Sequence, residues 1–200
     1  MVGSSAPGQA LPKIDLLPFD AHSPYLQAAI AVYAETWRRG FQSSSDFILG
    51  YGLKQEDFIG FVAVDYSHQQ HNDLDASPSV VAMGFGTRSR SGQWWHDHVT
   101  RQVGPRHPAL QNAWVITELA VASSHRNQGL GTRIHNALLE AQPYERVLLS
   151  TQRDNLGARR LYERLGWRYL HRGFAFEKGG PSFVIMHRLL RRNREATTGT

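Results

Sequence analysis

The stretch of this chain best suited to chemistry is the bend Arg126, Asn127, Gln128, Gly129, Leu130 and Gly131, spelled R-N-Q-G-L-G. Two small residues stand where the backbone turns bare just as a helix begins. The first amides of a helix have no acceptor within it and carry the positive end of its dipole, so such a bend is a ready anion site. A phosphate or diphosphate fits it. Neither the dinucleotide spelling G-x-G-x-x-G nor the triphosphate loop G-x-x-x-x-G-K-[ST] occurs in the chain. A second group, His96, Asp97, His98 and His107, invites a metal. An H-x-H pair on a helix points its rings apart, and no second carboxylate lies at ligand spacing, so no metal is expected.

The elements that must position the bend flank it. Trp114, Val115, Ile116, Leu119 and Val121 form a β-branched and aromatic run that Ser123 and Ser124 stop, which predicts a buried strand. Leu130, Ile134, Ala137, Leu138 and Ala141 then fall on one helical face, with Arg133, Asn136 and Glu140 opposite.

Composition bounds the rest. Two hundred residues with 41% hydrophobic and 20% charged content suit a single soluble domain. No cysteine is present, which excludes disulfides, thiolate metal sites and a cysteine nucleophile. No apolar run approaches the ~18 residues of a membrane span, and the first residues lack the pattern of a secretory signal, so a cytoplasmic protein is expected. Lysine and arginine number 22 against 17 acids. Part of the excess is Arg188, Arg191, Arg192 and Arg194, which reads as a solvated tail; with no aromatics between them they make a poor nucleic-acid patch.

In chain order, residues 1–13 read as a disordered leader rich in Gly, Ser, Ala and Pro, residues 14–190 as the domain, and residues 191–200 as a basic tail. Ile14 to Phe19 predicts a first strand. Ser23 and Pro24 open a helix expected to run through Trp37 to Gly40. Phe41 to Gly52 is a short helix or a loop. Phe58–Tyr66 and Val80–Thr87 predict two antiparallel strands joined by a polar surface loop, with Gly84 and Gly86 marking a bulge. Within 89–109, Trp94 and Trp95 either anchor the core or line an acceptor pocket. Arg146–Thr151 is a strand; Asn155 caps a helix with Ala158, Leu161, Tyr162 and Leu165 on one face, which Gly166 ends. Trp167–Leu170 and Phe183–Leu190 complete the strands.

Two motifs carry a family resemblance. R-x-x-G-x-G after a strand resembles the acetyl-CoA loop of the GNAT superfamily of N-acetyltransferases. D-N-L-G-A-R-R-L-Y-E-R-L-G-W resembles its second signature, N-x-x-A-x-x-x-Y-x-x-x-G-[FW], with Asn155, Ala158, Tyr162, Gly166 and Trp167 matching position by position. The resemblance is firm from Trp114 to Trp167 and follows the order of elements from Leu16 to Leu190. It implies a single α/β (α+β) domain: a mixed, mostly antiparallel sheet of about six or seven strands flanked by helices and splayed between the fourth and fifth. It also implies acetyl-CoA as cosubstrate, which the basic surplus suits, a small-molecule or peptide amine as acceptor, and the homodimer that is the family's habit.

The implied chemistry assigns roles. An alkyl ammonium has a pKa of about 10.4, so the acceptor must lose a proton or be desolvated before it attacks. The developing oxyanion needs fixed donors and the departing thiolate needs a proton. In the family an amide of the fourth strand serves the first need and a tyrosine after the fifth strand the second; here these are Val121 and Tyr162. Glu118 is the candidate base, with a surface strand residue or an acceptor anchor as its other readings; Ser150 and Thr151 stand where some members place a glutamate. Arg126, Asn127, Gln128, Gly129, Leu130, Gly131 and Thr132 would hold the diphosphate, Leu119 and Val121 would run beside pantetheine, Asn155 would cap its helix, contact the pantetheine arm, or both, and Tyr162 would also contact the cofactor. The alternative is a non-catalytic acyl-CoA-binding regulatory module of the same fold, which would have no need of Tyr162.

Overall fold

The structure, a computed structural model, describes residues 14–67 and 78–191. The expected leader, all but Arg191 of the basic tail, and most of the polar loop after Tyr66 lie outside them. Among the described residues seven strands form one sheet: β1 (Ile14–Pro18), β2 (Ile59–Asp65), β3 (Ser79–Ser89), β4 (Ala113–Val121), β5 (Arg146–Gln152), β6 (Arg168–Ala175) and β7 (Ser182–Leu189). Their order across the sheet is β1-β2-β3-β4-β5-β7-β6. Five helices pack on it: α1 (Leu26–Trp37), α2 (Phe41–Gly50), α3 (Trp94–Val103), α4 (Leu130–Ala141) and α5 (Leu156–Arg164).

Every neighbouring pair is antiparallel except β4 and β5, which run parallel and pair only through Ala113–Ile116 with Arg146–Leu149. Beyond that point each strand keeps only its other neighbour: β4 stays on β3 as far as Val121, and β5 stays on β7 as far as Gln152. The sheet therefore opens between Thr117–Val121 and Ser150–Gln152. Main-chain groups on the open sides of these segments lack a strand partner, as at any sheet edge.

A bulge sets which side chains face this opening. Phe85 pairs with Glu118 and Gly86 with Ile116, so Thr117 is an extra residue on β4. The position is the one that Gly84 and Gly86 suggested, but the added residue is on the partner strand. Gly86 serves close packing instead: a Cβ there would lie 2.2 Å from the Trp114 ring and 2.4 Å from the Val115 carbonyl. The extra residue reverses the alternation of β4. Before the bulge, Trp114 and Ile116 pack under α4 while Ala113 and Val115 pack toward α3. After it, Leu119 and Val121 take the α4 side and Ala120 the α1 side, to which Glu118 also belongs by its two-residue spacing.

The cores follow from this. Ile134, Leu138, Tyr162 and Trp167 join Trp114 on the α4–α5 face, while Ile30, Tyr33 and Ile48 join Met83 and Phe85 on the other. The first helix stops earlier than expected. Arg38, not Gly40, takes the left-handed cap at φ 49°, and its N–H meets the carbonyls of Ala34 and Glu35. Gly40 is extended because it starts α2, where its carbonyl accepts from Ser44 N at 3.1 Å and from both the Ser43 and Ser44 hydroxyls at 2.9 Å.

Candidate active site

The bend after β4 has the predicted form. Asn127 and Gly129 are both left-handed, at φ 61° and 80°, and Gly129 caps α4. The first bond of this turn runs from Arg133 N to Gly129 O at 3.0 Å, leaving the amides of Leu130, Gly131 and Thr132 without an acceptor in the helix. Arg126 folds back so that its Nε donates to the Val121 carbonyl at 3.2 Å.

These amides border a cleft of about 780 Å³. Leu119, Val121, Arg126, Asn127, Gly129, Leu130, Gly131, Thr132 and Asn155 all line it, so nearly every residue proposed for cofactor contact meets in one place. Gln128 and Tyr162 do not: the Gln128 side chain donates to the Ser124 carbonyl at 3.3 Å, and Tyr162 is buried in the core beneath α4 and α5. Asn155 caps α5 as expected, Oδ1 accepting from Ala158 N at 3.1 Å, and the residue also lines the cleft. A Cβ on Gly129 would meet nothing within 4 Å, and one on Gly131 only Leu119, Leu161 and Val121 at 3.6 Å or more. An anionic head group on the α4 amides, followed by a narrow arm between β4 and α5, fits these residues.

Glu118 and Tyr162 stand behind the cleft wall. Glu118 lies deep among protein atoms yet keeps some contact with solvent. Burial pushes its carboxyl up to about 8, against the Arg39 charge and the Trp37 indole, which both favour ionisation. Tyr162 is 7% exposed, between His135 and Trp167, with ring centroids 6.2 and 5.9 Å away. Its phenol is raised well above the usual tyrosine range by burial and then by the charge of Glu118. Among the described residues its hydroxyl has no hydrogen-bond partner, so nothing competes for its proton.

Sequence reasoning missed several residues. Thr36, Trp37 and Arg38, at the end of α1, line the cleft; the Thr36 hydroxyl is buried without a hydrogen-bond partner among the described residues, and the Trp37 indole acts on the Glu118 carboxyl. His135 is fully buried: Trp167 Nε1 donates to its Nε2 at 2.9 Å, so its Nδ1 carries the proton toward Asn136 Oδ1 at 2.8 Å. A histidine four residues from Leu139 and Gly131 on an otherwise mixed face gave no sequence signal for this. The histidines of the 89–109 segment have separate partners: His96 the Ser89 hydroxyl, His98 the Trp94 carbonyl, His107 the Ala109 amide. Trp95 anchors α3 to the sheet, its Nε1 donating to Ser150 Oγ at 3.0 Å, whereas Trp94 is half exposed and stacks on Phe176 at 4.9 Å.

Residues 15–167 match the acetyltransferase (GNAT) family. The GCN5-like protein acetyltransferase Rv2170 of Mycobacterium tuberculosis is 28% identical over 200 residues, spanning 88% of this chain and 97% of that protein. Among solved structures, an aminoglycoside 6'-acetyltransferase type Ii superposes with a TM-score of 0.60 at 18% identity, covering 90% of this chain and 99% of the other. A chain of the NatC complex, described as bound to Gag peptide and CoA, gives 0.59 at 16% identity over 90% and 99%. These likenesses extend the fold beyond the matched segment to almost the whole chain. With a family match over well more than half its length, the chain belongs to the GNAT acetyltransferase family and is an acyltransferase.

Proposed function

We propose that this protein moves an acetyl group from acetyl-CoA to a primary amine of a small molecule or peptide by direct attack, both substrates being bound together. The observation that carries this reading is the cleft itself: it runs from the bare amides at the start of α4 to the gap between β4 and β5, behind whose wall lie a carboxyl and a phenol that are both desolvated and act on each other electrostatically. Acetyl-CoA supplies an acyl group activated as a thioester and a leaving thiolate.

The residues of this chain do the remainder. The amides of Leu130, Gly131 and Thr132 hold the diphosphate at the dipole end of α4, and the guanidinium of Arg126 adds a positive charge beside it. Leu119 and Val121 hold the arm against the open edge of β4, and an amide at Val121 offers a donor to developing negative charge. Glu118, on the α1 face of the sheet, takes a proton from the acceptor ammonium. With a pKa near 8 it is poised close to the working pH and is a stronger base than an ordinary carboxylate. Tyr162 keeps its proton until a thiolate forms, because both burial and Glu118 disfavour the phenolate. The relative described as a protein acetyltransferase favours a peptide or protein amine as acceptor.

The test incubates the purified chain with acetyl-CoA and a panel of amines and peptides, and follows free thiol in wild type and Tyr162→Phe. Thiol release that depends on an amine and collapses in the variant supports the reading. CoA binding with no thiol release from any acceptor would turn it toward the regulatory module.

A further inference from the structure

Two carboxylates from outside the cleft hold the short turn Ser123–His125 that leads into the Arg126–Gly131 bend. Glu35, in the last turn of α1, accepts from both Ser123 N at 3.0 Å and Ser123 Oγ at 2.8 Å through the same oxygen. Asp65, at the end of β2 and 5% exposed, lies 3.3 Å from His125 Nε2 through Oδ2. Its other oxygen accepts from Ser67 N and Ser67 Oγ at 2.8 and 2.5 Å, which fixes the carboxylate before the histidine meets it. The far ring nitrogen of His125 is 2.8 Å from Ser124 Oγ, so the imidazole is held on both sides.

We propose that Asp65 and Glu35 are positioning residues for the donor's diphosphate, acting through His125 and Ser123 on the amides at the start of α4. This rests on the reading of that bend as the donor site. Three features support it. The bend places a non-glycine residue, Asn127, in the left-handed region, a conformation that costs free energy and persists only where neighbours impose it. Its own side-chain bonds, Arg126 to Val121 and Gln128 to Ser124, fold it on itself and do not tie it to the helices opposite. The carboxylates supply that tie, one from β2 and one from α1. His125 also lines the cleft, so its bond to Asp65 fixes a wall side chain.

A positioning role predicts a loss confined to ligands that carry a diphosphate. Calorimetric titration of the full chain with CoA and with pantetheine, and steady-state kinetics with acetyl-CoA and S-acetylpantetheine, separate it from a general structural role. Asp65→Asn and Glu35→Ala are expected to raise the Kd for CoA about tenfold and Ser123→Ala about threefold. KM for acetyl-CoA rises with them, kcat at saturating donor stays within about twofold, and constants for the truncated ligands do not move. Should Asp65→Asn fail to fold, Ser123→Ala, on an exposed turn, decides the matter alone. Equal losses with long and truncated ligands, or an unchanged CoA affinity, would overturn the proposal. Wild type that binds CoA no tighter than pantetheine would overturn the donor reading first and this one with it.

Discussion

Glu118 on β4 and Tyr162 on α5 act on each other electrostatically: the carboxylate charge of the first raises the phenol of the second above what burial alone imposes. Glu118 lies on β4 just past Ile116, and α5 follows β5, so the two groups come from either side of the opening that begins where β4 and β5 cease to pair. One desolvated group suited to accept a proton and one suited to keep it until needed is the arrangement that acyl transfer to an amine requires. Pushing two titratable groups in opposite functional directions is a general way of assigning acid and base.

The phenol is tested by removing one oxygen. Tyr162→Phe keeps the ring contacts with His135 and Trp167, so the fold and the cleft should survive. A proton donor to the leaving group is worth about 10²-fold or more in rate. The expected outcome is kcat lowered by about that factor, with CoA affinity by calorimetry within about threefold of wild type.

Glu118 predicts a pH dependence with a definite sign. As a base it works only when ionised, so kcat/KM should rise with pH and level off above an apparent pKa of about 8. Glu118→Gln should lose most of the rate and that limb of the profile. Stability moves the other way. A carboxyl raised from about 4.3 when unfolded to about 8 when folded favours the native state fully at low pH, and that contribution is lost as pH climbs through the interval. Melting temperatures of wild type and Glu118→Gln should therefore diverge between about pH 4.3 and pH 8, with the variant the more stable at the upper end.

Much of this site was legible because its signals are local. The bend, its two glycines, the Asn155 cap and the Gly166 stop each depend on residues within one or two turns, and the structure has all of them in place. What was illegible depends on distant partners. The bulge at Thr117 is a mismatch in length between β3 and β4, which neither strand reveals alone. Trp95 bonds to a serine 55 positions away, and His135 to a tryptophan 32 positions away. The end of α1 at Arg38 was misjudged because glycine is the commoner left-handed cap, while here Gly40 is committed to the next helix.

The two glycines of the bend should respond differently to one added methyl. Gly129 is left-handed with open space around it, so Gly129→Ala introduces strain without a clash, about 1–2 kcal/mol, and lowers the melting temperature. Gly131 is helical, and its added Cβ would only touch Leu119 and Leu161. Gly131→Ala should keep or raise the melting temperature, since alanine is the better helix former, yet weaken CoA binding by narrowing the space between β4 and α5. Thermal melts paired with CoA titration read out both halves of the contrast.

The buried histidine gives the last prediction. His135 is neutral, its pKa held below the usual value chiefly by burial and further by Arg188, against the Asn136 bond that favours the charged form. A depressed folded pKa means that the unfolded chain binds the proton more tightly. The stability His135 contributes is complete above its unfolded pKa of about 6.5 and is lost as pH falls through the lower folded value. Wild type should therefore lose melting temperature on acidification from about pH 6.5, and His135→Gln should lose less over the same interval. Trp167→Phe removes the donor to Nε2 and leaves a buried acceptor unpaired, a cost of about 1–3 kcal/mol at neutral pH. Because Trp167 and His135 both pack on the Tyr162 ring, that variant should also lower kcat, while Kd for CoA, set at the other end of the cleft, stays close to wild type. A CoA affinity that fell in step with kcat would mean that the aromatic cluster shapes the whole cleft and not the phenol alone.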